Sequence, residues 1–402
     1  MKIVDVAEFY AEQGGGVKTY IDHKLRAGSE AGHEMVVVAP GTHDCEEVRP
    51  GGGRVVWVAS PPVPGDPRYR LHVRQKRIHQ FLDRERPDVV EASSVYGGAW
   101  IVARWRGRSA RRMLVFHQDP VAVFGHSVFD RWLPAPWIDR AFAPTWGYLR
   151  NLAGRFDATV VAGDWLRTRL DGFGVPRVHA VPFGIETEPF RQALRDEGLR
   201  QGLLERAGMP PTAYLMVGVS RHHPEKRLPT LFEAVQRLNR AFPVAFVLYG
   251  DGPQRTRIEA LAAETPGAVV AGYTRDRAEL ARALATADGL LHGSAAETYG
   301  LVVAEALCAG TPVVVPDGGG ARDLADARVG ETYPAGDPEG CAAAVRRLLS
   351  RDLDSLRQAC RARARDLRSL DDHFRDLFAF YRDGPEPARV WSQRHSVSAP
   401  AR

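Results

Sequence analysis

The residues best suited to chemistry are two glutamates, Glu297 and Glu305, in the run His292-Gly293-Ser294-Ala295-Ala296-Glu297-Thr298-Tyr299-Gly300-Leu301-Val302-Val303-Ala304-Glu305-Ala306-Leu307. An apolar strand leads into the run, and a helix beginning near Tyr299 carries Glu305 about two turns in. The amides left free at that helix start, those of Gly300 and Leu301, suit a phosphate, and a carboxylate on either side suits vicinal hydroxyls. The spacing by itself is weak, because two glutamates so placed recur by chance. Gly310 closes the helix as its C-terminal cap before a strand from Pro312.

Cations come from another strand end. Val217-Gly218-Val219 runs into Ser220-Arg221-His222-His223-Pro224-Glu225-Lys226, which sets Arg221 and Lys226 where ligands of open α/β sheets bind. An arginine fork and a mobile lysine there suit a diphosphate and the charge that builds on it as it departs; a solvated basic loop is the plain alternative. Gly250-Asp251-Gly252-Pro253 follows the next strand at the same edge, as a phosphate-side loop or a simple turn. Gly14-Gly15-Gly16 precedes a helix starting near Val17, where amides can approach a phosphate or merely make a tight turn. The spacing is not G-x-G-x-x-G, and no acidic residue marks the end of Met35 to Ala39, which disfavours a nicotinamide enzyme.

Short β-branched runs alternating with amphipathic stretches position these residues, the pattern of βαβ units on parallel sheets. The first half offers strands at Ile3–Val6, Met35–Ala39, Val55–Val58, Val89–Glu91, Met113–Phe116 and Ala158–Ala162. The second offers Tyr214–Val219, Ala245–Tyr249, Ala268–Ala271, Gly289–His292 and Pro312–Val315. Asp276 with Glu279 fits a capping box, and Asp337-Pro338 is a second helix start. Two doubly wound, Rossmann-like domains follow, 1–182 and 183–383, divided near Pro182-Phe183-Gly184, with the last helix a candidate to pack back on the first domain. Residues 384–402, rich in Pro, Ser and Arg without periodicity, read as a disordered tail.

The 402 residues, 44% hydrophobic and 26% charged, suffice for two cores. Lys2 is followed by an apolar run cut by Asp5 and Glu8, which leaves no room for a secretory signal, so a cytoplasmic protein is expected. No apolar run reaches the roughly 18 to 20 residues of a spanning helix. Cys45, Cys308, Cys341 and Cys360 lack C-x-x-C spacing and read as small buried hydrophobes. A formal charge of +5 is too mild to imply nucleic acid.

Taken together, these motifs resemble the retaining glycosyltransferases of family 4, which have the GT-B fold and the E-x7-E motif matched by Glu297 and Glu305. The resemblance spans nearly the whole chain: Gly14 to Gly16, Arg221 to Lys226, Gly250 to Pro253, and Glu297 through Gly320, in order. It implies that Glu297 contacts the donor sugar, Glu305 the ribose, and Arg221 and Lys226 the diphosphate. It also places Gly250, Tyr299, Gly300 and Leu301 on the nucleotide side, and Gly15 and Gly16 at the phosphate or acceptor side. His117, after Phe116, matches a family histidine near the transferred sugar, although His117-Gln118-Asp119 departs from the commonest versions and a lone histidine at a strand end is more often structural.

The implied reaction is metal-independent hexosyl transfer with retention from a nucleoside-diphosphate sugar to a lipid or glycan acceptor, by internal return, needing no cofactor and dependent on domain closure. GDP-mannose is the expected donor, by likeness to bacterial mannosyltransferases, and UDP-glucose the next. The only D-x-D, Asp352-Leu353-Asp354, falls between late helices rather than at a strand end, so no metal site is expected. On the acceptor side, Arg68, Arg70, Arg74, Lys76 and Arg77 form one basic group and Arg104, Arg106, Arg108, Arg111 and Arg112 another. Phe124, Phe129, Trp132, Trp137, Phe142, Trp146 and Tyr148 lie in an aromatic stretch. Together they suit an anionic membrane surface, or else solvated arginines beside an ordinary core helix. The rivals are a GT-B sugar-nucleotide epimerase or phosphorylase and a non-catalytic sugar-nucleotide-binding protein; Arg221, Lys226, Glu297 and Glu305, all present, argue against the last.

Overall fold

The computed structural model of the chain describes residues 1–11, 16–64, 66–107, 109–129 and 132–384. Gly14, Gly15, Arg108 and the segment from 385, for which a tail was expected, lie outside the described residues. The strands in chain order are β1 (Lys2–Val6), β2 (Glu34–Gly41), β3 (Cys45–Val48), β4 (Arg54–Ala59), β5 (Pro62–Val63), β6 (Asp66–Arg70), β7 (Val89–Ala92), β8 (Arg111–Phe116), β9 (Ala158–Val161) and β10 (Val178–Ala180). The second half adds β11 (Tyr214–Val219), β12 (Val244–Tyr249), β13 (Ala268–Gly272), β14 (Gly289–Leu291), β15 (Val313–Pro316) and β16 (Gly330–Tyr333).

Among the described residues one sheet runs β10-β9-β8-β7-β1-β2-β4-β3 and the other β13-β12-β11-β14-β15-β16, with a β5–β6 hairpin beside the first. All pairs in the two large sheets are parallel except β3–β4. Reading β4-β2-β1-β7-β8-β9 and β13-β12-β11-β14-β15-β16 by order of appearance gives the doubly wound order 3-2-1-4-5-6 twice. Each sheet therefore reverses direction of growth beside its first strand, between β1 and β7 and between β11 and β14. A crevice opens at the carboxyl ends of the strands on either side of such a reversal.

The apolar runs became strands because both faces of a parallel sheet are covered: Val36, Val37 and Val38 are all fully buried. Side chains of the first sheet pack into two cores, one per face, and those of the second into two more. The chain passes between them near Val181, which belongs to a first-domain core, and Ile185, which belongs to the second. It returns beside the same point, since the Ile185 amide donates to the Arg368 carbonyl at 3.0 Å and Ile185 bridges Ser369. A Cβ on Gly184 would lie 1.9 Å from the Ser369 carbonyl oxygen, so only glycine lets the two crossings lie together.

After the return, Ser369 and Asp372 cap the Leu370–Asp383 helix reciprocally. Its Phe374, Leu377, Phe378 and Tyr381 enter the core with Ile3, Val37, Met113 and Val160 of the first sheet. A buried ionic cluster ties it down further: Lys24 pairs with Asp5 and, at 2.8 Å, with Glu91, whose other oxygen accepts from the Tyr381 hydroxyl at 2.7 Å.

Some expectations need correction. The Asp276 cap forms on the Ala278 amide, but Glu279 accepts instead from the Thr274 hydroxyl at 2.6 Å, so the box is open on one side. Cys308, Cys341 and Cys360 are buried, whereas Cys45 is only half-buried, on the charged edge strand β3.

Candidate functional site

Two loops at the β11/β14 reversal bring the main pair together. After β11 the chain forms a short 3₁₀ turn, Pro224–Lys226, before the Leu228–Leu238 helix. Beyond β14 it reaches Glu297 and then the Leu301–Ala309 helix, capped by Gly300 at φ 93°. Lys226 Nζ lies 2.9 Å from Glu297 Oε1 and 3.4 Å from Glu225 Oε1. The Lys226 and Glu297 side chains are only 17% and 18% exposed, so solvent screens the pair weakly. Burial pulls the Lys226 ammonium down, but Glu297 and Glu225 outweigh it and hold the group above the usual lysine range. Burial likewise pushes the Glu297 carboxyl up, and Lys226 followed by His292 brings it below the usual range. Both stay charged at neutral pH.

Glycines hold these loops in place. A Cβ on Gly300 would approach Ala321 Cα at 2.9 Å, one on Gly319 the Ala295 carbonyl oxygen at 2.8 Å, and one on Gly320 the Thr298 carbonyl oxygen at 2.2 Å. The loop after β15 thus presses directly on the Glu297 loop. Gly250, at φ 136°, would place a Cβ 1.9 Å from the Ser220 carbonyl oxygen, so the Gly250-Asp251-Gly252 loop backs the Arg221 loop by close approach of main chains. Arg221 itself is exposed.

The helix starts at Leu301, later than expected, which puts Glu305 little more than one turn in. Leu301 is 43% exposed and Glu305 8%. Arg277, the first residue of the Arg277–Thr286 helix after β13, reaches Glu305 Oε1 at 3.0 Å while lying over the Phe190 ring. Burial pushes the Glu305 carboxyl up, and Arg277 offsets only part of that. Arg277 had no signal in the sequence beyond its place after a capping Asp276.

The first domain meets this site through His117. The Thr298 hydroxyl donates to the His117 carbonyl oxygen at 3.2 Å, which ties the His117 main chain to the residue after Glu297 across the domain boundary. The His117 ring packs against Tyr20 and Phe183, with Nε2 buried and without a hydrogen-bond partner. Burial pushes His117 down to about 4, so the ring is neutral. Tyr20 is held in turn: its hydroxyl donates to His373 Nε2 at 2.9 Å, and His373 Nδ1 donates to the Pro182 carbonyl at 2.9 Å. Phe183 also packs against Tyr299, whose hydroxyl is pushed up to about 12 by burial. Gly16 is the first residue of the Gly16–Glu30 helix; Gly15 lies outside the described residues.

The structure therefore joins Lys226 to Glu297, ties the His117 main chain to the Glu297 loop through Thr298, and places Glu305 and the Gly300–Leu301 helix start on the same loop-helix unit. It spends Asp352 on the Asp354 and Ser355 amides as the cap of the Leu353–Ala364 helix. The aromatic stretch divides. Phe124, Trp132 and Trp137 are 56%, 69% and 65% exposed, whereas Trp146 is buried in a 3.9 Å stack on Phe173 and leaves the expected acceptor wall. Arg169 lies over the Trp146 and Phe173 rings and pairs with Asp119 and, at 2.7 Å, with Asp139, which also bonds His126 at 2.9 Å. The arginine groups are partly spent: Arg74 and Arg77 share Asp44, and Arg111 and Arg112 bond carbonyl oxygens. No helix among the described residues is long and apolar enough to cross a membrane.

Comparison with known proteins agrees with this architecture. Residues 14–189 match the model described as Glycosyltransferase Family 4, and residues 212–351 match Glycosyl transferases group 1. A GDP-mannose-dependent alpha-mannosyltransferase of Mycobacterium tuberculosis is 32% identical over 84% of this chain and 85% of its own length. The GDP-mannose-dependent alpha-(1-6)-phosphatidylinositol dimannoside mannosyltransferase of the same species is 28% identical over 90% of this chain and 92% of its own. Among solved structures, sucrose-phosphate synthase from Thermosynechococcus elongatus superposes with a TM-score of 0.73 at 17% identity, covering 95% of this chain and 99% of that one. Anabaena HepE in complex with UDP-glucose superposes at 0.70 and 16% identity, covering 95% and 100%. At those identities the likeness speaks to the fold, which is GT-B.

Proposed function

The chain belongs to glycosyltransferase family 4 and is a nucleotide-sugar-dependent glycosyltransferase, and from that premise we propose that it moves mannose from GDP-mannose to a hydroxyl of a lipid or glycan acceptor, with retention at the anomeric carbon. The observation that carries the reading is the Lys226–Glu297 pair at the β11/β14 reversal, with a free helix start at Gly300 and Leu301 beside it. The GDP-mannose dependence of the mycobacterial relatives supports the donor.

In this reading residues 1–182 form the acceptor half and 183–383 the donor half. Glu305 takes the ribose hydroxyls and Gly250, Tyr299, Gly300 and Leu301 line the nucleotide, with Gly15 and Gly16 on the phosphate or acceptor side. Arg221 and Lys226 meet the diphosphate, and Glu297 and the neutral His117 ring bond hydroxyls of the transferred sugar. The bond from anomeric carbon to phosphate oxygen breaks, and the acceptor oxygen bonds that carbon on the same face. The acceptor's proton passes to the departing phosphate oxygen. The protein supplies position and opposite charge, and the cations act most strongly on the charge that develops as the bond breaks. Arg221 and Lys226 give the leaving group its counter-charge without calling on a metal ion.

The exposed Phe124, Trp132 and Trp137 support docking on a membrane that holds a lipid acceptor, and the basic groups of the first domain favour an anionic one. A panel of sugar nucleotides assayed for slow hydrolysis and transfer tests the whole reading: GDP-mannose should be consumed in preference to UDP-glucose. Release of an epimerised sugar nucleotide, or tight binding without any turnover, would replace it with one of the rival functions.

A further inference from the structure

Glu297 has two basic neighbours, and only one is bonded to it. Lys226 Nζ stands 2.9 Å from Oε1, while His292 Nε2 stands 3.7 Å from the same oxygen, beyond a hydrogen bond. His292 follows β14, is 3% exposed, and its Nε2 is buried without a hydrogen-bond partner. Its main chain is fixed on both sides, the amide donating to the Val314 carbonyl at 2.9 Å and the carbonyl accepting from the Tyr333 hydroxyl at 2.7 Å. An orphaned polar atom in so rigid a place calls for a partner that arrives later.

Lys226 serves two masters in the reading above, Glu297 and the diphosphate. As it turns to the diphosphate, Glu297 loses its cation in a site where an uncompensated carboxylate is costly. We propose that His292 is a positioning residue that takes over Glu297 from Lys226 when a diphosphate fills the cleft: the neutral ring then carries its proton on Nε2, which donates to Oε1 and keeps the carboxylate aimed at the transferred sugar. The inference rests on the proposed donor site and assigns His292 no contact with substrate. Closing 3.7 Å to hydrogen-bond distance needs only a small turn of the ring or the carboxylate. The other charges near the pair include Glu225, 3.4 Å from Lys226, then His223, 3.7 Å from Glu225, the buried Arg227 next in the chain, and Glu305 with Arg277 at 3.0 Å. The first domain's Ser127–Phe129 turn, packed against Pro224–Lys226, brings no charge.

The test compares the unaltered protein with His292→Leu, which removes the donor, and His292→Gln, whose amide can replace it. Leucine should lower kcat roughly tenfold while the donor KM stays within about twofold, and should move the acid limb of the kcat profile to higher pH; glutamine should restore most of both. Should the leucine variant not fold, His292→Asn, too short to reach, takes its place. A second readout needs no turnover: the Glu297 carboxyl, followed by NMR with GDP bound, should titrate at higher pH in the leucine variant than in the unaltered protein. Coincident titrations and acid limbs in the two would overturn the role, as would a glutamine variant no better than leucine. If no sugar nucleotide is turned over, the transferase reading falls, yet the titration with GDP bound still decides for or against His292.

Discussion

Lys226 and Glu297 meet at 2.9 Å although they are 71 residues apart, because the loops that carry them leave β11 and β14, adjacent parallel strands of one sheet. Each sets the other's charge. Glu297 would be pushed up by burial without Lys226, and Lys226 would be pulled down without Glu297 and Glu225.

Lys226→Met should therefore damage both halves of the site. The diphosphate loses a cation, and Glu297 becomes protonated at a higher pH than before. A fall of roughly 100-fold or more in kcat/KM is expected, with the acid limb of activity moved upward. Lys226→Arg should recover part of the rate, since the charge returns in a different shape. Steady-state kinetics across pH check both.

Three buried histidines make the fold sensitive to acid. Burial pushes His72, His117 and His373 down to about 4 from an ordinary 6.5. Below pH 6.5 the unfolded chain therefore binds protons that the folded chain refuses. Stability from this source is whole above about pH 6.5 and is lost as pH falls toward 4, by at most ~3 kcal/mol per histidine. Urea unfolding at stepped pH should show that slope, and His72→Leu should flatten it.

How much of this could be read beforehand follows from where each signal resides. Val36 to Val38 announced a strand because full burial on both faces leaves only apolar residues there. Strand β3 announced nothing, since Glu46 and Glu47 sit on an exposed edge where no apolar pattern is required. Arg221, Lys226, Glu297 and Glu305 were legible because each lies just past a strand or on the helix that follows. Arg277 and His292 were not, because their meaning comes from partners in other βα units or from a distance of 3.7 Å. Composition also cannot say which aromatic side chains face outward: Trp137 stays exposed, whereas the Phe173 stack and the Arg169 guanidinium cover Trp146.

Gly184→Ala should strain the crossing between domains. The new Cβ would fall 1.9 Å from the Ser369 carbonyl oxygen, which is main chain and cannot turn aside. A loss of about 1–3 kcal/mol is expected, seen as a lower Tm, together with changes in kcat and KM if closure runs through this point.

Trp132→Ser with Trp137→Ser should weaken binding to anionic vesicles roughly tenfold or more, because two large exposed rings are removed from the docking face. Slow hydrolysis of the donor without vesicles should be unchanged. Vesicle sedimentation at low and high salt separates the apolar and basic contributions.

The most direct test replaces the Glu297 carboxylate by an amide of the same shape. With GDP-mannose as donor, Glu297→Gln should bind GDP within a few-fold of the unaltered protein, stay folded at the assay temperature with a lowered Tm, and lose transfer by roughly 100-fold or more. Undiminished transfer by Glu297→Gln would contradict the site at the β11/β14 reversal.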